Sequence, residues 1–90
     1  MSAVRDNAPL ARFELDAEGA EALAYYHLAD GVMIFTHTEV PPRLRRRGVA
    51  SRLIHDALEA ARERGLRVIP RCSFVASYLT QHPEFNDLLA

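Results

Sequence analysis

A single cysteine, Cys72, among 90 residues excludes an internal disulfide framework. No Cys/His pair has the spacing of a structural zinc site, and His27 and His55 sit at no ligand spacing, so no metal is expected. No run of about 18 apolar residues occurs, and no basic segment precedes an apolar one near Met1; membrane spanning and export are therefore not indicated, and a cytoplasmic protein is expected. Charge of one sign is also missing. With a formal net charge of -1 and a pI near 6.4, the chain does not have the surface of a general nucleic-acid binder. Repeats, low-complexity tracts and internal linkers are absent, so the fold must rest on the packing of one small unit.

The apolar pattern supplies that unit. Residues 1–10, with Ser2, Asp6, Asn7 and Pro9, read as a flexible lead-in, and residues 11–90 as a single domain. Phe13 and Leu15 alternate with Arg12 and Glu14, the period of a half-buried strand. After the turn residues Asp16 to Gly19, a second strand over Ala22 to Leu28 leads through Asp30-Gly31 into a third over Val32 to Val40. An Asp-Gly pair between apolar runs predicts a hairpin, because both positions tolerate positive φ. Pro41 and Pro42 end the third strand. From Val49, the residues Leu53, Ile54, Ala57, Leu58 and Ala61 recur at helical spacing, opposed by Arg52, Asp56, Glu59, Arg62 and Glu63. Gly65 stands where a left-handed cap belongs. Leu66 to Ile69 reads as a short strand stopped by Pro70, and Phe74 to Gln81 as a shorter helix halted by Pro83. The predicted fold is α/β (α+β), in the order βββ-α-β-α.

Chemistry concentrates between the third strand and the first helix. Arg45-Arg46-Arg47-Gly48-Val49-Ala50 lies where free amide groups and the positive end of a helix converge, which suits an anion. Gly48 removes a Cβ from the approach, and Ala50 keeps the turn small. A solvated basic run or a nucleic-acid patch over Arg43 to Arg47 is the alternative, but it has no need of glycine at that place.

The pattern Arg-x-x-Gly-x-Ala following a strand resembles the pyrophosphate-binding motif of the GCN5-related N-acetyltransferases. His37-Thr38-Glu39-Val40 before the turn, Pro70-Arg71-Cys72-Ser73-Phe74-Val75 after the last strand, and Tyr78 followed by His82-Pro83-Glu84 resemble the short single-domain branch of that superfamily. The resemblance covers Ala11 to Leu88. It implies an acetyl-coenzyme A donor, with Val40 pairing to the pantetheine arm and Arg45, Arg46, Arg47, Gly48, Val49, Ala50 and Ser51 holding the pyrophosphate. It also implies an acetyl group passed to an unidentified amine by direct transfer.

Acyl transfer needs a neutral amine, a stabilised oxyanion and a proton for the leaving thiolate. The resemblance offers Tyr78 as the proton donor. Cys72, just past the last strand, is a nucleophile for a covalent route if a base or positive field makes it a thiolate, and otherwise a small buried hydrophobe. His37 and Glu39, two apart on one strand, share a face, with Thr38 and Val40 on the other; either can take the amine proton. Typical superfamily members carry helices between the first two strands and further strands at the end. This sequence has neither, so the acceptor side is expected to be open or completed by a second copy or a partner protein. A protein or peptide amine and a small polyamine-like molecule both fit, and a non-catalytic acyl-coenzyme A-binding module is the second reading.

Overall fold

In the computed structural model, which describes residues 3–90, the strands are β1 (Val4–Asn7), β2 (Arg12–Ala17), β3 (Ala20–Ala29), β4 (Val32–Glu39) and β5 (Arg67–Pro70). The helices are α1 (Val49–Glu63) and α2 (Ser73–Gln81). The sheet runs β1-β2-β3-β4-β5, antiparallel except for the parallel β4–β5 pair. This is the α+β class and strand–helix order predicted from the pattern, with one strand added in front.

That added strand corrects the reading of residues 1–10 as a lead-in. Val4–Asn7 pairs with Arg12–Leu15 of β2, although it has too few apolar residues to announce itself. Side chains hold it instead. The Tyr26 hydroxyl donates to Asp6 at 2.6 Å, Arg64 reaches the same carboxylate at 3.0 Å, and Arg5 reaches Glu14 at 2.8 Å.

Both two-residue hairpin turns have positive φ at each central position: Glu18 and Gly19, then Asp30 and Gly31. This is the mirror-image turn whose twist matches the flanking strands. The first loop is therefore shorter than the four residues expected, because Asp16 and Ala17 belong to β2 and Ala20 to β3. At the end of α1, Gly65 at φ 69° carries the chain out, with its amide donating to the Arg62 carbonyl and the Leu66 amide to that of Ala61. These two bonds form a Schellman cap.

Leu53, Ile54, Ala57, Leu58 and Ala61 of α1 are all fully buried. They form one core with Phe13, Leu15, Ala24, Tyr26, Met33, Phe35 and Val68 of the sheet and with Val75, Tyr78, Leu79 and Phe85. Both helices thus cover one face of the sheet. After α2 a 3-10 helix, Pro83–Leu88, closes that core, and Leu89 bridges to Val68 at the outer edge of β5. The opposite face carries no helix among the described residues. It bears Arg12, Glu14, Tyr25, His37 and Glu39.

Candidate functional site

The site begins where β4 and β5 part. Their pairing runs from Val32↔Arg67 to Phe35↔Pro70 and stops. The Phe35 carbonyl accepts the amide protons of both Arg71 and Cys72, at 2.9 and 3.0 Å, and closes the apex of a fork. Beyond it β4 pairs with β3 alone, while Cys72 turns into α2.

A bulge decides which side chains enter the fork. Tyr26 pairs with Phe35 and Tyr25 with His37, leaving Thr36 as an extra residue in β4. Met33 and Phe35 are buried in the core, and with uninterrupted alternation His37 and Glu39 would follow them. Because of the extra residue, Thr38 takes that face instead, with its hydroxyl 3.3 Å from Cys72 Sγ. His37 and Glu39 emerge on the helix-free face, where His37 Nε2 lies 3.3 Å from the Glu39 carboxylate and the imidazole stacks on Tyr25.

Next to the fork, on the helix side, lies a cavity of about 480 Å³ lined by Thr38, Val40, Leu44, Arg45, Arg46, Gly48, Val49, Ala50, Ser51 and Phe74. A short 3-10 helix, Pro42–Leu44, anchors its floor by burying Leu44 completely. Gly48 then starts α1 at φ 73° with open space where a Cβ would project, so glycine is favoured by the backbone conformation and leaves the approach clear. No side chain caps α1, and no acidic residue lies in its first turn. The first amides of a helix have no intrahelical acceptor, so their partial positive charge faces the cavity.

The arginines divide their work. Arg47 pairs with Glu18 at 2.6 Å, and Arg43 donates to the Glu18 main-chain carbonyl, so both tie this turn to the β2–β3 hairpin. Arg45 folds back, its Nε 3.3 Å from the Val40 carbonyl. Arg46, with φ 65°, lines the cavity. Of the residues expected to hold the donor, Val40, Arg45, Arg46, Gly48, Val49, Ala50 and Ser51 line this one cavity; Arg47 does not.

Tyr78 does not line this cavity, and its ring stacks on that of His82 with the centroids 3.8 Å apart. Burial raises the phenol's pKa, and Glu84, Asp56 and Glu59 raise it further, so the hydroxyl stays protonated. His82 Nδ1, 2.8 Å from the Tyr78 carbonyl, must carry a proton to make that contact. The sequence pattern did not single out Phe74 or Glu18. Phe74 stands one helical turn before Tyr78, a spacing that could have pointed to it; nothing local marks Glu18.

The sequence profile of the GCN5-related N-acetyl-transferase family matches residues 12–88. The chain belongs to that family. Among solved structures, it is similar to a GCN5-like protein from Staphylococcus aureus determined in solution by NMR, with a TM-score of 0.75 and 28% identity, over 100% of this chain and 91% of the other. Family membership supports acyl-transfer chemistry, for which acetyl-coenzyme A is the general donor.

Proposed function

We propose that this protein transfers an acetyl group from acetyl-coenzyme A directly to an amine. The observation that carries this is one cavity joining the uncapped start of α1, Gly48 and Arg46 at one end to Thr38 of the fork at the other. The helix start receives the pyrophosphate, with Arg46 as its counter-ion. The pantetheine arm runs along Val40, one residue past β4, where the strand has already parted from β5, and brings the thioester towards Thr38 and Cys72. The amine attacks from the helix-free face and gives its proton to His37 or Glu39. Tyr78, stacked on His82 and absent from the cavity lining, is assigned to packing in this reading.

A covalent route through Cys72 is the second reading, and the Cys72 position in the fork favours it. Against it, the thiol is buried and its near polar partner is a hydroxyl, not a base. A basic nucleic-acid patch is disfavoured because Arg43, Arg45 and Arg47 are already committed to groups of the chain.

Calorimetric titration of acetyl-coenzyme A into the wild type and Gly48→Glu tests the assignment. Binding by the wild type that disappears in a folded Gly48→Glu protein supports it, since a carboxylate at the turn repels the pyrophosphate. No binding by the wild type would refute it.

A further inference from the structure

The turn that opens the donor cavity contains a strained residue. Arg46 holds φ at 65°, in the left-handed region that a residue with a Cβ enters only at a cost. Gly48 follows at φ 73°, so the short link from the 3-10 helix Pro42–Leu44 to α1 is left-handed at two positions. A backbone of this kind persists where its surroundings hold it.

What holds this one comes from the β2–β3 hairpin. Arg43, before the turn, donates to the Glu18 main-chain carbonyl, and Arg47, within it, pairs with the Glu18 carboxylate at 2.6 Å. The two arginines stand on either side of Arg46 and end on one residue, 25 and 29 positions earlier in the chain. None of Glu18, Gly19, Arg43 and Arg47 lines the donor cavity. Gly19 makes room for the contact, since a Cβ there would stand 3.2 Å from the Arg43 guanidinium. The molecule carries its own comparison. The Asp30-Gly31 hairpin has the same turn, with φ of 50° and 78° against 51° and 77° for Glu18 and Gly19, yet a Cβ on Gly31 would meet nothing within 4 Å. Turn geometry favours glycine at both places; the approach of an arginine favours it only at Gly19.

We infer that Arg43 is a positioning residue for donor binding, and that through it the β2–β3 hairpin sets the affinity of the turn for the pyrophosphate without touching the ligand. The inference rests on the donor assignment made above. A turn released from the hairpin is in its binding-competent form only part of the time, and affinity falls by that fraction. Linkage requires the converse, so donor binding tightens the hairpin. Arg47 contributes less, because an exposed pair with a flexible carboxylate is readily exchanged for water, whereas the carbonyl that Arg43 meets is fixed by the hairpin backbone.

The test combines nitrogen-15 relaxation with acetyl-coenzyme A calorimetry on the full chain and four variants. Without ligand, Arg43→Ala is expected to raise the picosecond-to-nanosecond mobility of the amides of residues 45–48. It weakens acetyl-coenzyme A by about fivefold, the loss for a turn that is competent about one-fifth of the time, and Arg43→Lys, which keeps a donor for the carbonyl, recovers most of it. Gly19→Val and Gly31→Val impose the same turn strain and remove no charge. The first is expected to weaken the donor by about threefold or more and the second to leave it unchanged. Equal affinities in the two glycine variants would overturn the inference. So would a loss of affinity in Arg43→Ala with residues 45–48 as ordered as in the wild type, which would make Arg43 a long-range charge instead. A wild type that does not bind acetyl-coenzyme A strikes the donor assignment, while relaxation without ligand still decides whether the hairpin holds the turn.

Discussion

The Thr38 hydroxyl lies 3.3 Å from the Cys72 sulfur, across the fork that opens where β4 and β5 separate. Thr38 lines the cavity proposed for the donor, and Cys72 stands behind it. Under direct transfer, Cys72→Ser keeps turnover within about tenfold, and rapid-quench mass measurement finds no acetylated protein. A covalent route predicts an acetyl adduct that accumulates before acceptor is added, and a loss of about a thousandfold or more in Cys72→Ser.

Gly48 holds φ at 73° with nothing near its missing Cβ. Alanine there meets no neighbour but costs about 1–2 kcal/mol of backbone strain, seen as a lower urea midpoint. Gly31, at φ 78° and equally open, serves as the control. Gly31→Ala should cost the same in stability and leave acetyl-coenzyme A affinity untouched, whereas Gly48→Ala should lower both.

Arg46 and Arg47 are neighbours with opposite expected fates. Arg46→Ala weakens acetyl-coenzyme A by about tenfold, because it removes a charge-assisted contact to phosphate. Arg47→Ala, which breaks only an exposed pair with Glu18, changes affinity by less than about threefold. Calorimetry on the two variants decides; equal losses would mean that Arg47 swings into the cavity when the donor binds.

Much of this was legible in the sequence and some was not, for identifiable reasons. The Asp30-Gly31 hairpin, α1 with its Gly65 cap, and the Arg45 to Ser51 turn follow from local chemistry: two positive-φ positions, a 3.6-residue period, and a glycine between a strand and a helix. β1 was hidden because its pairing rests on charged and polar partners distant in sequence. The bulge at Thr36 was hidden too, since a threonine fits a regular strand as well as an irregular one. Its effect is large, for it sends Thr38 to Cys72 and turns His37 and Glu39 to the other face. The distribution of arginine partners depends on Glu18, far away along the chain, and no motif encodes it.

Glu14 is nearly inaccessible, yet it is charged. Hydrogen bonds from Arg12, then Asn7, then Arg5 hold its pKa down to about 2, from 4.5 in the free residue. The folded value lies below the unfolded one, so its stabilising contribution is complete above about 4.5 and is lost as pH falls towards about 2. Urea midpoints measured across that window should fall steeply in the wild type and less in Glu14→Gln, which has already lost the charge. Identical slopes would show that Glu14 is not the group being titrated.

The cations that surround the donor turn are guanidinium groups, and so are all eleven basic side chains of the chain. A guanidinium stays protonated in proteins and offers no lone pair to a thioester. Under the proposed function, the donor would therefore be surrounded by positive charge while the chain presents no lysine ε-amine to compete with the acceptor. If that function holds, self-acetylation of lysine is impossible in this chain, and an acetyl thioester on Cys72 would mark the covalent route.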